Sequence, residues 1–410
     1  MDMQTFATEA VKKLVGAGYL AYFAGGWVRD YLMDHPSSDI DIATDAPPEV
    51  IIKLFPNTIH VGAAFGVYIV PHGKEQIEIA IFRKDVEYAG GRRPTRIETS
   101  TPEEDALRRD FTINGMFYDP LKDVVHDWVQ GAEDIKKGII RAIGNPDQRF
   151  FEDRLRMIRA VRFATRFGFA IEPETQQAII DNAESLFPAV SMERIWQEFH
   201  KMSHYHNFDH AIVELHRLKL LGEVFPELKS IHLNDIKKRV SAYHAFPNRS
   251  PLVAYLIQLF PDKNLVQMEE TLRQLKASTK DVKLAHFLMQ GEELLSKTEK
   301  REPIEWVRFY ADPHADLCLE MHAATHTLDR KDFFHSHDAR KHKLSAHIDR
   351  IKNKKPLVTS EHIKNEGIPS GKIMGDILKE AERLTINKDL KEPNEVIQEL
   401  KRTLVWPQVM

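Results

Sequence analysis

The segment 25-GGWVRDYLMDHPSSDIDIATD-45 decides how the chain is read. Gly25 and Gly26 close the apolar run 19-YLAYFA-24 and precede a short helix starting near Trp27. A glycine pair lets the backbone come close to a phosphate, and Arg29 on the first helical turn offers a guanidinium to its oxygens. The same pair also serves as a plain turn. The spacing is neither GxGxxG nor GxxxxGK[ST], so neither a dinucleotide fold nor a P-loop is supported. Further on, 39-DIDIATD-45 alternates in strand fashion. Asp39 and Asp41 then share one face, with Ile40 and Ile42 on the other. Two adjacent carboxylates repel unless a divalent cation lies between them, and paired hard oxygens suit Mg²⁺. The alternative is a loop entering a strand with two exposed acids. In 76-QIEIAIFR-83, Glu78 lies on the face opposite Ile77, Ile79 and Ile81, as a third metal ligand or as an exposed strand acid.

The surroundings of this segment mix helix and strand. The helix signal 48-PEVIIKLF-55 starts with proline, and strand-like runs at 65–70 and 76–82 flank the turn 71-PHGKE-75. Beyond Glu152 helical periodicity dominates. The chain is therefore expected to be α+β, with a small mixed sheet flanked by helices at the N-terminus and helices thereafter. Its 410 residues carry 42% apolar and 29% charged residues and a net charge of -4. Nothing global marks a nucleic-acid partner, so such a surface must be local. The lone Cys318 excludes an internal disulfide or a thiolate zinc cluster. The amphipathic start, without a signal-peptide core, and the lack of a spanning apolar run lead to the expectation of a cytoplasmic protein with no membrane partner. One local shift lies in Asp329–Lys355, where nine Lys/Arg face four Asp, with four His. It is either a solvated helix face or a phosphate-contacting patch.

Four further blocks follow the opening segment in order: 83-RKDVEYAGGRRPTRIETS-100, 101-TPEEDALRRDFTINGMFYDP-120, 125-VHDWVQGAEDIKKGIIRAIGNPDQRFFEDRLRMIRAVRFATRFGF-169 and 191-SMERIWQEFHKM-202. Together they resemble the successive motifs of the class II (bacterial-type) tRNA CCA-adding nucleotidyltransferases and the related bacterial poly(A) polymerases. The resemblance runs from about Tyr22 to Leu228. It implies two-metal nucleotidyl transfer with Mg²⁺ held by Asp39 and Asp41, joined by Glu78, and a triphosphate seated by Gly25, Gly26 and Arg29. Arg109, Asp110 and Asn114 of "RRDFTIN" would read the ribose. Asp153 and Arg156 of "EDRLRMIRAVRF" would select the base as helix neighbours at i and i+3. An Asp accepts from the exocyclic amine of C or A, which G and U do not present in the same place. Arg159 and Arg162 would extend a basic face toward the triphosphate, opposite the apolar Met157, Ile158, Val161 and Ala164. Residues 83–100 match a mobile basic loop, with Gly90, Gly91, Arg92, Arg93 and Arg96, that the family associates with the final A. Asp127, Gly131 and Asp134 match a hinge, and Glu193 and Arg194 a support for the template helix.

The C-terminal half says less. The segment 355-KPLVTSEHIKNEGIPSGKIMGDILKEA-381 resembles the tail element of CCA-adding enzymes. No His-Asp pair marks a phosphohydrolase module in 250-SPLVAYLIQLFPDKN-264, and His335, His337 and Asp338 fall outside that pattern. The expected organisation is a catalytic head (1–145), a helical neck with the template helix (146–228), a helical body (229–350) and an RNA-binding tail (351–410). The resemblance implies addition of C, C and A to the 3′ end of tRNA from CTP and ATP. Poly(A) synthesis and A-only addition are the alternatives within the family, and an RNA-binding protein without catalysis is the alternative outside it. The tail element, and "VGAAFGVY" (61–68) in place of a basic G-[RK]-[RK]-F, favour CCA addition.

Overall fold

The computed structural model describes residues 2–35, 37, 39–62, 66–89, 93–297, 301–403 and 406, with the backbone alone at 60–62, 85–89 and 93–97. The chain forms two units, Met1–Ser241 and Ala242–Met410.

The first unit opens with helix α1 (Met3–Gly16), capped by the Asp2 carboxylate, which accepts from Thr5 N at 2.8 Å. Its buried Met3, Ala7, Ala10, Val11 and Leu14 recur at helical spacing and face a sheet. That sheet comprises β1 (Ala21–Ala24), β2 (Asp41–Thr44), β3 (Ile59–Gly62), β4 (Val67–His72), β5 (Glu75–Ile81), β8 (Phe117–Asp119) and β9 (Val124–His126), in the order β3-β4-β5-β2-β1-β8-β9. β2 and β5 run parallel and the other neighbours antiparallel, so the sheet is mixed. Phe23, Ile40, Ile42, Ile77 and Ile79 are at most 1% exposed and join α1 in one core. Each such side chain contributes roughly 1.5–3 kcal/mol of burial. The alternation that sends these isoleucines inward sends Asp41 and Glu78 to the other face. Helices α2 (Gly26–Leu32), α3 (Pro48–Leu54), α4 (Pro102–Leu107) and α5 (Gly131–Lys137) complete the head.

Two stretches carry elements beyond those expected. Within the segment matched to a mobile basic loop, β6 (Arg83–Ala89) pairs antiparallel with β7 (Arg93–Thr99), strands the sequence did not announce. Its expected Gly90, Gly91 and Arg92 lie outside the described residues, as do residues 63–65 of "VGAAFGVY". In "FTINGMFY", Thr112–Asn114 forms a 3-10 turn, and β8 starts only at Phe117. The turn forms because the Asp110 carboxylate accepts from both Phe111 N (2.9 Å) and Asn114 Nδ2 (3.1 Å).

After β10 (Ile139–Ile140) come α6 (Pro146–Glu152), α7 (Leu155–Phe167), β11 (Ala170–Ile171), α8 (Pro173–Asn182), α9 (Met192–Met202), α10 (Phe208–Arg217), α11 (Leu220–Val224) and α12 (Leu233–Val240). The short parallel pair β10–β11 interrupts an otherwise helical region. α7 packs on α9 and α10, with Met157, Ile158 and Val161 fully buried as the apolar stripe requires. α12 packs on α10, and the first unit therefore extends past residue 228.

The second unit is helical from α13 (Leu252–Leu259) and α14 (Leu265–Gln274) through α15 (Thr279–Ser296), α16 (Pro303–Ala311) and α17 (Ala315–Thr325). It continues with α18 (Arg330–Lys343), α19 (Ser345–Lys352), α20 (Ser360–Asn365), α21 (Lys372–Asn387) and α22 (Pro393–Leu400). The motif-bearing segment 355–381 builds a local core from Val358, Ile363, Ile368, Met374 and Ile377. In the basic stretch, His337 and His347 turn inward. His337 is bonded to Tyr310 Oη at 2.6 Å, and burial together with Arg340 and Lys341 pushes it down to about 4. Among the described residues, no helix is long and apolar enough to cross a membrane.

The entry to α5 depends on one side chain. Asp127 accepts from Val129 N and Gly131 N through Oδ1 and from Ala132 N through Oδ2, at 2.9–3.1 Å. Asp127→Ala is expected to cost about 1–2 kcal/mol in urea unfolding of the first unit. The isosteric Asp127→Asn should recover part of the loss.

Candidate functional site

β1 ends at Ala24, and the chain turns at Gly25 with φ 62° and ψ -117°. A side chain there would be strained by the positive φ, and its Cβ, 2.7 Å from Arg109 Nη1, would require that guanidinium to shift. Next to this turn, the parallel register pairs Asp41 of β2 with Glu78 of β5. The third acid arrives differently from expectation. β2 begins at Asp41, and Asp39 sits in the preceding loop, exposed, with its N–H on Ser37 Oγ at 3.3 Å. Strand alternation therefore does not fix its direction. Its charge still reaches Asp41, whose carboxyl is pushed up to about 7 by burial, by Glu78 and by Asp39, against the pull of Arg109. A carboxyl raised by like charges is what a bound cation would relieve.

A cleft of about 400 Å³ brings most of the expected residues together. Gly25, Gly26, Arg29, Asp41, Arg109, Asp110, Asn114, Asp153, Arg156 and Arg159 all line it. Asp39, Glu78 and Arg162 do not. Glu78 adjoins the lining through Asp41. Arg162 instead turns to α9, where its Nε donates to Glu198 Oε2 and its guanidinium lies 4.1 Å from the Phe163 ring centre. It is 6% exposed, so the basic face expected of α7 stops at Arg159.

The cleft walls are built from paired charges. Asp110 accepts from Arg159 Nε and Nη2 at 2.9 and 2.6 Å. Burial works against its ionisation, yet Arg159 and Asn114 hold the carboxyl well below the usual range. Arg29, 3% exposed, donates to Asp30 Oδ1 (2.9 and 2.7 Å) and to Asn114 Oδ1, and stacks 4.7 Å from Phe167. It thus orients Asn114 and keeps only part of its fork for a ligand. Arg109 bonds Asp105 Oδ2 at 3.1 and 2.9 Å and lies over Phe117.

Asp153 and Arg156 are both present, but not as helix neighbours. Asp153 is extended (φ -148°, ψ 104°) at the break between α6 and α7, so the i,i+3 rule does not apply. Its carboxylate receives Arg194 in a two-pronged pair, Nη1 at 3.0 Å and Nη2 at 2.7 Å, plus Leu155 N at 3.1 Å. Arg156 is held by Glu152, by Arg149 O (3.0 Å) and by Arg108 O (3.1 Å). Acceptor and donor therefore stay unpaired with each other while lining one cleft, which leaves each able to address a base edge.

Sequence reasoning missed Arg108, Phe163 and the buried anchors Asp30, Asp105 and Glu198. The spacing of Asp105 to Arg108 and Arg109 carried a signal, since both bond it at i,i+3 and i,i+4. Glu198 carried none, because its partner lies 36 residues away.

Residues 21–141 match the Poly A polymerase head domain, and residues 168–231 match the probable RNA and SrmB-binding site of polymerase A. The chain is 45% identical to the CCA-adding enzyme of Lactobacillus helveticus over 202 residues, 49% of this chain and 50% of that one. It is 43% identical to the CCA-adding enzyme of Geobacillus stearothermophilus over 197 residues, 48% of each. The match thus spans about half the length of these curated relatives. The crystal structure of Bacillus stearothermophilus CCA-adding enzyme in complex with CTP aligns at TM-score 0.80 and 27% identity over 98% of both chains. The fold is also that of Thermotoga maritima CCA-adding enzyme complexed with tRNA, at TM-score 0.65 and 21% identity.

The raised Asp41 carboxyl has a signed consequence for stability. Its folded value, about 7, lies above the ordinary 3.8. Below pH 3.8 both states are protonated and Asp41 adds no penalty. As pH rises toward 7 the unfolded chain ionises first, so the fold is progressively destabilised, fully so above 7. Without divalent ions, Asp41→Asn is expected to stabilise the first unit at pH 8 by on the order of 1–3 kcal/mol. Thermal unfolding should show the difference fade toward pH 4 and shrink on adding Mg²⁺ at pH 8.

Proposed function

We propose that the chain is a member of the class II family of tRNA CCA-adding nucleotidyltransferases and bacterial poly(A) polymerases and adds C, C and A to the 3′ end of tRNA from CTP and ATP, a reading supported by the matches over its first half. The observation that carries this reading is the single cleft shared by Asp41, the Gly25–Gly26 turn, Asp110 with Asn114, and Asp153 with Arg156. A metal site, a phosphate approach, a sugar reader and a base reader within about 400 Å³ are the parts of a nucleotide-selecting transferase.

Asp39, Asp41 and Glu78 are the residues that would hold Mg²⁺, a hard cation suited to carboxylates and phosphates. When bound, such ions lower the pKa of an attacking hydroxyl and neutralise charge on a triphosphate. The chain supplies positioning. The Gly25–Gly26 backbone admits the phosphates closely, as no Cβ shields it. Asp110 and Asn114, fixed by Arg159 and Arg29, face the ribose hydroxyls. Asp153 accepts from the exocyclic amine of cytosine or adenine, and Arg156 donates to the ring nitrogen or carbonyl. Uracil and guanine put an oxygen where Asp153 needs a donor and are rejected. Base choice then needs no nucleic-acid template.

The head (1–145), neck (146–228), body (229–350) and tail (351–410) are proposed as a catalytic part followed by helical RNA-binding parts, acting on tRNA in the cytoplasm. RNA would be held mainly through phosphate and shape. The test uses tRNA ending at the discriminator base, at -C and at -CC, with CTP, ATP or both. Sequencing of the products should show completion to CCA and then arrest. Long A tails on unrelated RNA, or A addition to the -CC substrate alone, would replace this reading with one of the family alternatives. Asp39→Ala should abolish incorporation of both nucleotides while tRNA binding persists. Continued extension by that variant would remove Asp39 from the metal set.

A further inference from the structure

Among the described residues, one group of three metal-ligating side chains converges closely, and it lies in the helical second unit, outside the residues proposed for nucleotidyl transfer. Glu292, on α15, meets His322, on α17, and His326, the residue capping the C-terminal end of α17. The His322 Nδ1 stands 3.0 Å from both Glu292 oxygens, and His326 Nε2 stands 3.5 Å from Oε1. One ligand atom from each of the three residues fits within 4.8 Å of the others. Metal–ligand bonds of about 2.0–2.2 Å at tetrahedral angles require neighbouring ligands roughly 3.3–3.6 Å apart. The His322–Glu292 and His326–Glu292 separations of 3.0 and 3.5 Å lie near that range, and the two imidazole nitrogens stand within 4.8 Å of each other.

The supporting bonds point the same way. His326 Nδ1 lies 3.1 Å from the His322 carbonyl oxygen, an acceptor only, and 3.1 Å from Thr325 Oγ1, which can accept as well, so the tautomer protonated at Nδ1 suits both partners. In the neutral ring this leaves the Nε2 lone pair directed at the Glu292 carboxylate. Lone pair facing anion at 3.5 Å is unfavourable unless a proton or a cation sits between. Ser296 Oγ donates to Glu292 Oε1 at 3.1 Å and fixes the carboxylate, as an outer-shell group does around a metal ligand. The two imidazoles stack at 4.1 Å between ring centres, and Phe333 covers His322. His322 is 6% exposed, whereas the His326 side chain is 46% exposed, so the cluster is closed on one side and open on the other.

We propose that Glu292, His322 and His326 bind a borderline divalent transition metal of the Zn²⁺ type, tying α15 to the end of α17. Two imidazoles and one carboxylate favour such an ion over Mg²⁺ or Ca²⁺, which take oxygen ligands. The fourth position faces the open side and would be taken by water. This site is separate from the carboxylates assigned to catalysis and does not depend on the proposed activity.

The test is Co²⁺ titration of the full-length protein, stripped with chelator, in excess Mg²⁺ to occupy the oxygen-ligand site. Visible ligand-field absorption should saturate at one Co²⁺ per chain and disappear on adding one equivalent of Zn²⁺. His326→Ala, a half-exposed position, should keep its circular dichroism and lose the band. Ser296→Ala should retain the band with affinity weakened on the order of 10-fold. Absence of a saturating band in the unmodified protein, or an unchanged band in His326→Ala, would overturn the proposal. In that event the three groups form only a hydrogen-bonded ion pair.

Discussion

The site depends on one constraint: charges removed from water must find a partner, and here the partners lie on different elements. Asp110 in the head meets Arg159 on α7, and Asp153 at the α6–α7 break meets Arg194 on α9. Arg162 on α7 meets Glu198 on α9, while Asp30 on α2 receives both Arg29 and, from α7, Arg166. Leaving one such partner unpaired costs roughly 3–5 kcal/mol, so each pair that joins two elements works as a pin between them. The pins bring Asp110, Asn114, Asp153 and the Gly25–Gly26 turn to one cleft. Without them the cleft would be a collection of mutually repelling arginines around Asp41.

The same pairing leaves an asymmetry that suits the chemistry. Asp110 and Asp153 are compensated by arginines, whereas Asp41 is held near neutrality by its acidic neighbours and by burial. Compensated acids can orient hydrogen bonds, and the uncompensated Asp41 is the one that the proposed cation would relieve. Two roles for aspartate therefore arise within one cleft from environment alone.

Local patterns in the chain were sufficient for the fold of the head. Alternation in 76-QIEIAIFR-83 and 39-DIDIATD-45 placed Ile40, Ile42, Ile77 and Ile79 in the core, and the parallel register set Glu78 beside Asp41. The assembly of most site residues in one cleft followed from ordered motifs rather than from any single one. What spacing could not supply was geometry at breaks. Asp153 reads as helical by pattern, yet it is extended because α6 ends before it and Arg194 holds it across 41 residues. Arg162 falls on the same helix as Arg159, but Glu198, invisible in sequence, draws it inward. Asp39 precedes its strand because the strand pairs only from Asp41. In each case a long-range charge partner or a pairing boundary overrode a local rule.

The central claim is that the protein itself selects the base, through an aspartate that an arginine holds in place. It is tested most directly by kcat/KM for CTP, ATP, UTP and GTP on tRNA with Arg194→Ala and Arg194→Lys. The account predicts that Arg194→Ala lowers the preference for CTP over UTP and for ATP over GTP by about 10-fold or more, at unchanged tRNA affinity. Arg194→Lys, which loses the two-pronged bond but keeps the charge, should fall between. Full nucleotide preference in Arg194→Ala would contradict it.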